Sequence, residues 1–434
     1  MTTVGYAELA QAMVAEGRLS DPWLDGAERF RVEPLRLSSS RWRALQQAAE
    51  AVAMVHDELA TIVHGEPRLL AEFFDLTPWQ QMLWQLAAPE WHGMARADVF
   101  ETANGPVVCE LNSDTPSGQA EADWLGRHAA ARAGDGWRDA NAMLRQAFVA
   151  TVRAFAGSVG AGAGATVGIV YPTEITEDLS MIALYRDWLE AAGLVVVLGS
   201  PFNLTAAADG RAALLGTPCD VILRHYKTDW WTERLPVRDD EPPVPDPEPL
   251  AAPLTALVQA QYHGRTAVMN PFGAVVTQNK RSLAFCWEQR ERFSPAARAA
   301  IERYLPETSR LELCRDELWR DRERWVLKSD YGCEGDGVVI GRSVSQAEWE
   351  DALQHAIPQR WVAQRYFDAV ADGDGQVHNH GVYLCGGRAV GAFTRVHAAP
   401  ALGVGGTDAG ACCAAVLVEA VAEVGGAATG EVSA

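Results

Sequence analysis

The sequence predicts a mixed protein of the α/β (α+β) class with more than one domain. Three regions support this class: a helix-rich start, a strand–helix–strand unit in the middle, and a strand-dominated second half. Of the 434 residues, 48% are hydrophobic and 22% are charged, so the chain can bury a large core. At roughly 150 residues per domain, this length corresponds to two or three domains.

The first predicted region, residues 1–157, is rich in helices. Residues 41–64 and 140–155 place apolar side chains at helical spacing with charged residues between them. The exception is a β-hairpin within residues 95–118. Residues 158–165 are mostly glycine and alanine and predict a linker to the next region.

The second predicted region, residues 166–275, alternates strands and helices. Apolar runs at 167–171 and 194–198 flank an amphipathic stretch through Tyr185, and this order predicts a parallel βαβ unit. Residues 236–249 are rich in proline and acidic residues, which can neither form a helix nor be buried. They predict a loop.

The third predicted region, residues 276–400, is dominated by strands. It contains a strand that ends at Lys328, a glycine-rich turn, a further helix, and a hairpin over residues 380–396. The last segment, residues 401–434, is rich in alanine and glycine. We expect it to be loosely ordered apart from an apolar run beginning at Cys412, which can pack.

The charge balance limits the partners of the chain. It has 57 acidic and 37 basic residues, and the net charge of −20 repels the phosphates of nucleic acids and anionic membrane surfaces. We therefore expect neither a nucleic acid nor a membrane as partner. The eight cysteines form no CxxC pair and predict reduced thiols. The N-terminus does not have the pattern of a secretory signal, so we expect a cytoplasmic protein.

The hairpin at residues 95–118 carries the strongest local signal. A three-residue loop over residues 103–105 fits a turn closed by a left-handed glycine. In that register residue 98 pairs with 110 and residue 96 with 112, so the polar side chains project from one face. These side chains are Arg96, Asp98, Glu110 and Asn112. The predicted apolar face consists of Ala97, Val99, Val107, Cys109 and Leu111.

The polar face of this hairpin offers hard oxygen ligands. Two carboxylates and one carboxamide suit magnesium that is bound together with the phosphates of a substrate. The neighbouring Arg96 could hold an anion. The alternative interpretation is a solvated polar face with an incidental ion pair.

A glycine-rich segment at residues 325–341 suggests contact with phosphates. Three glycines, Gly332, Gly335 and Gly337, form a turn between two predicted strands, the first of which ends at Lys328. The spacing is not that of a P-loop, and no helix follows as in a dinucleotide fingerprint. A flap of this kind could lay its amides over phosphates while Lys328 contacts an oxygen as a point charge. A purely structural turn is the alternative.

Three further segments place polar residues where a ligand could use them. Lys280 lies at the start of an amphipathic helix, where a cation opposes the helix dipole unless an anion is bound; a simple surface helix start is the alternative. Gln364 and Tyr366 end a strand and could present backbone groups to an adenine. His378 and His380 share a strand face by period two. Without a third nearby ligand, we expect hydrogen-bonded or exposed histidines rather than metal ligands.

Motifs of covalent hydrolases are absent from the sequence. It contains no GxSxG and no HExxH. Cys412 and Cys413 lie in an apolar, alanine-rich stretch that disfavours a thiolate. Covalent hydrolase chemistry is therefore not supported.

These segments resemble the glutathionylspermidine synthase-like ATP-grasp ligases. The resemblance runs over most of the chain in the same order. Its motifs are R-x-D (Arg96, Asp98), ELNSDTPS (110–117), NK (Asn279, Lys280), KSDYGCEG (328–335) and GAFTRV (391–396). It corresponds to the synthetase part of that family, and we expect no amidase domain.

The resemblance implies an ATP-grasp fold, with a Rossmann-like pre-ATP-grasp region at 166–275 and an ATP-binding domain at 276–400. It implies that magnesium, as two ions, is bound by Asp98, Glu110 and Asn112. It also implies that Arg96 faces the transferring phosphate and acyl group, that Arg395 closes over the reaction, and that Lys280 and Lys328 hold the nucleotide phosphates. Gly332, Gly335, Gly337, Gln364 and Tyr366 complete the expected ATP-binding set. Asp114, Thr115 and Ser117 are expected on the side of the carboxylate substrate.

The family further implies an ATP-dependent carboxylate–amine ligase that works through an acyl phosphate and releases ADP and phosphate. Its partners are a small-molecule or peptide carboxylate and an amine, such as a polyamine or an amino acid. Two positions depart from the family, because Ser329 and Cys333 stand where proline and arginine are common in the flap. An ATP-dependent phosphotransferase and a catalytically inactive nucleotide-binding protein stay open as alternatives.

Overall fold

A computed structural model of the chain describes residues 5–17, 19, 21–24, 26–173, 178–232, 250–332, 337–357, 359–398 and 411–420. The helices are α1 Tyr6–Glu16, α2 Ser39–Gly65, α3 Leu69–Glu72, α4 Pro78–Ala87, α5 Gln119–Ala133, α6 Leu144–Ser158, α7 Leu179–Ala191, α8 Thr228–Thr232, α9 Ala251–Tyr262, α10 Ala274–Thr277, α11 Arg281–Glu288, α12 Pro295–Tyr304, α13 Arg315–Arg320 and α14 Gln346–Ala356.

The strands up to the middle of the chain are β1 Trp23–Leu24, β2 Ala27–Glu28, β3 Leu35–Leu37, β4 Met94–Thr102, β5 Gly105–Asn112, β6 Trp137–Asp139, β7 Thr166–Val170, β8 Val195–Gly199, β9 Leu204–Ala206, β10 Ala212–Leu214, β11 Thr217–Pro218 and β12 Val221–Arg224. Those that follow are β13 Ala267–Met269, β14 Thr308–Arg310, β15 Trp325–Lys328, β16 Val338–Ile340, β17 Val362–Arg365, β18 Gln376–Cys385, β19 Arg388–Ala398, β20 Cys412–Ala414 and β21 Val416–Glu419.

A five-stranded antiparallel sheet has the strand order β20-β19-β18-β4-β5. It joins strands from the predicted N-terminal part, from the predicted ATP-binding domain and from the C-terminal segment. The predicted hairpin β18–β19 is confirmed. Its two-residue turn consists of Gly386 and Gly387, whose φ angles of 54° and 73° are those that such a turn demands.

Helix α2 covers one face of this sheet. Ser38 caps its start, because the side chain accepts a hydrogen bond from the N–H of Arg41 at 3.2 Å. Strand residues such as Ala97 and Val382 join the same apolar core as the buried face of α2. On the other sheet face, Tyr383 belongs to a second core with α5, α6 and α7. Alternate residues of the sheet strands therefore point to two different faces, one packed against α2 and one packed against α5, α6 and α7.

The predicted βαβ unit is confirmed. β7 and β8 are parallel and are connected through α7, and the complete parallel sheet has the order β13-β12-β7-β8. Val167, Ile169 and Val221 are buried, as expected for a parallel sheet that is covered by helices. The carboxyl ends of β12 and β13 lie beside the segment that follows β5, because Asn270 donates from Nδ2 to the backbone oxygens of Met94 and Asp114, each at 2.8 Å.

A four-stranded antiparallel sheet, β14-β17-β15-β16, carries the glycine-rich turn between β15 and β16. Helices α13 and α14 cover it, with Leu318, Trp349 and Leu353 packed against Trp325 and Leu327. The predicted strand that ends at Lys328 is confirmed, and so is the following strand.

The apolar run beginning at Cys412 packs as predicted. β20 pairs with β19, and β21 pairs with β3 and β6. Val416, Leu417 and Val418 are buried. None of the seven described cysteines forms a disulfide, in agreement with reduced thiols.

Some predictions concern residues outside the described parts. These are the proline- and acid-rich loop at 236–249, Cys333 and Gly335 in the flap, and most of the segment 401–434. Among the helices of the described residues, none combines the length and the apolar character needed to cross a bilayer.

Candidate active site

The register of the hairpin β4–β5 is the predicted one at its polar end. Asp98 pairs with Glu110 and Arg96 with Asn112. The turn itself differs, because Thr102 pairs directly with Gly105 and leaves a two-residue loop. The prediction of a three-residue loop was therefore wrong. A β-bulge between Asp98 and Val99 offsets the shorter turn by one residue.

The bulge also changes which residues of β5 lie on the apolar face of the hairpin. Val99 pairs with Val108, so the extra residue of the bulge is Cys109. Val108 enters the core on the α2 face, whereas Val107 pairs with Phe100 and is half-buried. The assignment of Val107 and Cys109 to that core was wrong, since a bulge exchanges the faces of the residues on its two sides.

Arg96, Asp98 and Arg395 meet on the sheet face opposite α2. Arg96 donates from Nε to Asp98 Oδ1 at 2.8 Å and from Nη2 to Oδ2 at 3.2 Å. Arg395 on β19 donates from Nη2 to Asp98 Oδ2 at 2.7 Å. Between them lies Gly381, where an added Cβ would stand 2.6 Å from the Cδ of Arg96. The glycine thus lets the Arg96 side chain lie across the sheet.

Asp98 balances one buried and one nearly buried cation. Burial by itself raises the pKa of this carboxyl, but the Arg96 and Arg395 guanidiniums outweigh burial and hold the pKa below its usual range. The carboxylate is therefore ionised at neutral pH. It fixes both guanidiniums on the sheet surface as two directed cationic groups.

Glu110 and Asn112 continue this polar face toward the start of α11. Lys280, which is 2% exposed, places Nζ 3.4 Å from Glu110 Oε1. With its amide oriented for donation, Asn112 Nδ2 contacts Glu110 Oε1 at 3.1 Å and its oxygen accepts from Arg96 Nη2 at 3.3 Å. The predicted cation and the predicted oxygen ligands are thus neighbours in space.

The bulge residue connects the hairpin to the four-stranded sheet. The carbonyl oxygen of Cys109 accepts from Lys328 Nζ at 3.1 Å and from Gln364 Nε2 at 3.3 Å. Both donors lie on neighbouring strands, β15 and β17. Burial raises the pKa of the Cys109 thiol to about 11, so this sulfur is not a nucleophile at neutral pH.

Lys280 also contacts the glycine-rich turn. Its Nζ donates to the carbonyl of Gly332 at 2.6 Å, and its backbone N–H donates to Asp330 at 2.9 Å. Gly337 closes the turn with a φ of 66°, and a Cβ there would lie 2.2 Å from Ser329 Oγ. Lys280 therefore joins Glu110 of the hairpin to the described start of the turn.

Asp114, expected on the substrate side, is already engaged inside the protein. Its carboxylate accepts hydrogen bonds from Arg224 Nη2, from the N–H of Thr228 at 2.6 Å and from Thr228 Oγ1 at 2.8 Å. The Asp114 and Arg224 side chains are 3% and 0% exposed. These contacts point to a positioning role, in which Asp114 fastens the segment after β5 to the parallel sheet.

Thr115 and Ser117 continue the same segment. The carbonyl of Ser117 accepts from Arg96 Nη1 at 3.1 Å and from the hydroxyl of Tyr383 at 2.9 Å. Thr115 lines a small crevice of about 20 Å³ at the carboxyl ends of β12 and β13. This volume accommodates about one water molecule and is far below the roughly 300–1,000 Å³ of binding sites for small ligands, so contact of Thr115 with a substrate stays a prediction.

His225 and Asp178 form an ion-pair contact at this crevice that the sequence analysis missed. His225 Nε2 lies 3.0 Å from Asp178 Oδ2. Burial raises the pKa of Asp178, but the contact with His225 outweighs burial and leaves that pKa below its usual range. The position of His225 directly after a buried parallel strand is a signal that could have found it, because ligands bind at such strand ends.

Asn379 is a second residue that the sequence analysis missed. It lies on β18 between Arg395 on β19 and Phe100 on β4, and it is 1% exposed. Its Oδ1 has no hydrogen-bond partner within the described residues. The period-two pattern that places His378 and His380 on one face places Asn379 on the other, the face of Arg395.

Tyr366, expected to contact adenine, has its backbone N–H and its ring engaged by other protein groups. Its backbone N–H donates to Arg324 at 2.9 Å, and its ring lies under the guanidinium of Arg342 at 3.7 Å. Gln364 uses its side chain on Cys109 and on Thr308 Oγ1 at 3.2 Å. Contacts of both residues with ATP remain predictions.

The donor set on the hairpin fits magnesium. Asp98, Glu110 and Asn112 bring carboxylate and carboxamide oxygens to facing positions of two paired strands, and hard oxygens are the ligands that this ion prefers. Lys280 and Lys328 contact the same hairpin, and ammonium groups suit phosphate oxygens. The residue types present therefore suit a ligand that carries phosphates and magnesium, and the role of each residue stays a prediction.

Comparison with known proteins identifies the family and the fold of the chain. A family model described as glutathionylspermidine synthase preATP-grasp matches residues 35–402. A glutathione synthetase-like effector from Globodera pallida in its apo form has 10% identity and a TM-score of 0.57, and the match covers 96% of each chain. At this identity the likeness concerns the fold alone.

A second solved structure is similar to the chain at a lower TM-score. A putative γ-glutamylcysteine synthetase from Methylobacillus flagellatus KT has 17% identity and a TM-score of 0.45, with 82% of this chain and 86% of that one covered. No curated protein matches the chain. The family model spans most of the sequence, and the fold it implies is the ATP-grasp fold predicted from the motifs. The chain belongs to the glutathionylspermidine synthase preATP-grasp family.

Proposed function

We propose that this protein is an ADP-forming ligase that joins a carboxylate to an amine through an acyl phosphate. Membership in a family of ATP-grasp ligases supports an ATP-dependent ligase at the level of the family. The carboxylate and amine partners, the acyl phosphate and the residue roles belong to the proposal. The amine is expected to be a polyamine or an amino acid.

The observation that carries the proposal is the approach of four cationic side chains to one hairpin. Arg96 and Arg395 are held by Asp98, and Lys280 and Lys328 approach the same hairpin from two other elements. Such an arrangement suits transfer of a phosphoryl group, where positioning and charge stabilisation supply most of the catalysis.

In the first step an oxygen of the substrate carboxylate attacks the γ-phosphorus of ATP. The new P–O bond forms as the bond to the β-phosphate oxygen breaks, and ADP leaves. Lys280 and Lys328 hold the phosphates, while Arg96 and Arg395 face the transferring group and its acceptor. Magnesium bound by Asp98, Glu110 and Asn112 would neutralise phosphate charge during this transfer.

In the second step the amine nitrogen attacks the activated carbonyl carbon. The C–O bond to phosphate breaks, phosphate leaves, and the nitrogen loses a proton to give the amide. The arginine pair is placed to stabilise the oxyanion that forms on the carbonyl oxygen.

The experiment that tests this function measures nucleotide consumption. The purified protein is incubated with Mg-ATP and pools of amino acids, peptides including glutathione, and polyamines. We expect ADP, phosphate and an amide product, and trapping of the activated acid by hydroxylamine as a hydroxamate. AMP instead of ADP would contradict the acyl phosphate.

The same assay separates the two alternatives. A phosphotransferase forms ADP and a stable phosphorylated hydroxyl, without release of phosphate and without a hydroxamate. A catalytically inactive nucleotide-binding protein binds ATP in a magnesium-dependent manner and forms no ADP with any pool.

The variant Lys328→Met tests the assignment of Lys328 to ATP. We expect the KM for ATP to rise by about tenfold or more while the KM for the acid stays nearly constant, because a charge-assisted contact contributes about 1.5–3 kcal/mol. Steady-state kinetics with each substrate varied in turn gives both values. Lys227→Met, which removes a lysine paired with the Trp230 ring, is the matched control. An equal rise in both KM values would assign Lys328 to the fold instead, through its contact with Cys109.

A further inference from the structure

A cluster of metal-binding residue types lies on the α2 face of the five-stranded sheet. Glu101 on β4 and His378 and His380 on β18 each place a ligand atom within 4.8 Å of the others. No third ligand was expected near the two histidines from the sequence, and in the fold Glu101 takes that position. We call these three residues the back-face cluster, because Asp98 and Arg395 lie on the opposite sheet face.

The strand geometry brings the cluster together. His378 and His380 lie two positions apart on one strand, so their side chains project from the same face. Their ring centroids are 5.8 Å apart. Glu101 lies on the neighbouring strand, where Phe100, the residue before it, pairs with Asn379. The arrangement is therefore a property of two paired strands and not of a loop.

Each histidine has one ring nitrogen held by a further protein group. His378 Nε2 lies 3.1 Å from Asp372 Oδ2, and His380 Nδ1 lies 3.0 Å from Thr394 Oγ1. In metal sites a histidine commonly binds the ion through one nitrogen while the other is fixed by a carboxylate or another polar group. The contacts of Asp372 and Thr394 match that pattern.

The second nitrogen of His380 is the observation that points to a ligand. His380 is 0% exposed, and its Nε2 has no hydrogen-bond partner within the described residues. This nitrogen faces Glu101 Oε2 at 3.4 Å. Buried polar atoms nearly always form hydrogen bonds, and this nitrogen has only a long contact with a carboxylate oxygen in that place, an arrangement that an ion between the two atoms would complete.

Arg41 competes for the same carboxylate. Its Nε donates to Glu101 Oε1 at 2.7 Å and to Oε2 at 2.9 Å. The Arg41 side chain is 40% exposed and lies in the first turn of α2, so it can turn toward solvent. A bound cation would replace the charge that Arg41 provides.

We propose that Glu101, His378 and His380 form a zinc site that is separate from the nucleotide site. Two imidazoles and one carboxylate suit Zn²⁺ and neighbouring transition metals, whereas Mg²⁺ prefers oxygen ligands. Three protein ligands leave a fourth position for water. The ion would link β4 to β18, the two strands that carry Asp98 and Gly381 on their other face.

The test uses the full chain, treated with a chelator and titrated with Co²⁺ in the presence of excess Mg²⁺. Cobalt serves as a coloured probe of four-coordinate nitrogen and oxygen sites. We expect one Co²⁺ per chain with a visible absorption band, displacement by Zn²⁺, and no displacement by Mg²⁺. The measurement needs no turnover, so it is independent of the proposed ligase activity.

Variants give graded expectations in the same titration. Asp372→Asn, which loosens the partner of His378, should weaken metal affinity by about 10–100-fold. His378→Ala and His380→Ala should each weaken it further, whereas His355→Ala, which alters a histidine paired with Gln359, should leave it unchanged. Arg41→Gln removes the competing cation and should strengthen binding.

Two results would overturn the proposal. The first is the absence of a cobalt band in both the wild-type protein and Arg41→Gln. The Arg41 variant keeps every proposed ligand, so failure of a histidine variant to fold does not affect this readout. The second is a band that keeps its intensity in His380→Ala, which would place the ion elsewhere.

Discussion

Asp98→Asn is expected to lower ADP formation by on the order of 10³-fold or more. Removal of one charge-stabilising group from an active site commonly costs 10²–10³-fold in kcat. Asp98 is expected to do more than one such group, because it fixes both Arg96 and Arg395 and is proposed to offer an oxygen to magnesium. The measurement is the rate of ADP release at saturating Mg-ATP.

The effect of Asp98→Asn on folding must be measured beside its effect on turnover. The pKa of Asp98 lies below its usual range in the folded protein, so its stabilising contribution is present above the unfolded pKa and is lost as the pH falls through the folded pKa. The asparagine variant lacks this contribution at neutral pH. Thermal unfolding of the variant, with and without ATP, separates a folded inactive enzyme from an unfolded one.

Glu110→Gln tests the same metal assignment with a smaller expected effect on stability. Glu110 contacts Lys280 at 3.4 Å and shares its charge with fewer buried cations than Asp98 does. We expect the same loss of turnover with a smaller loss of stability. The matched control is Asp209→Asn, since Asp209 also pairs with an arginine, Arg211, but its side chain is 48% exposed. Near wild-type rates in either active-site variant at ordinary magnesium concentrations would contradict the metal assignment.

The hairpin illustrates how far the sequence alone could lead. Alternation of polar and apolar residues predicted the pairs 98–110 and 96–112, and the structure confirms both. The same alternation could not distinguish a three-residue loop from a two-residue loop followed by a bulge. Both arrangements pair residue 98 with 110 and residue 96 with 112. The choice depends on Cys109, whose carbonyl is contacted by Lys328 and Gln364 from distant strands.

Contacts between distant segments explain the other differences. Asp114 was expected beside the substrate from its place in the ELNSDTPS motif, but its partners Arg224 and Thr228 lie more than 100 residues later. The third member of the back-face cluster, Glu101, comes from a strand that is far from His378 in sequence. A single sequence carries periodicity within an element, whereas the pairing of elements is a property of the fold.

Arg224→Met is expected to be among the most destabilising single substitutions in this chain. Arg224 is 2% exposed, and it donates to Asp114 and, at 2.6 Å, to the carbonyl of Tyr226. Removing one member of a buried ion pair costs about 3–5 kcal/mol, because the remaining charge stays buried without its partner. Urea denaturation at neutral pH measures the free energy of unfolding.

The double variant Arg224→Met/Asp114→Asn decides why the single variant is unstable. With both charges removed, no uncompensated carboxylate stays buried, and a buried ion pair replaced by neutral groups is often close to neutral in stability. We therefore expect the double variant to be more stable than Arg224→Met, with a coupling energy that a double-mutant cycle reports directly. Equal losses in the single and double variants would mean that the backbone contacts of Arg224, rather than its charge pair with Asp114, dominate the instability.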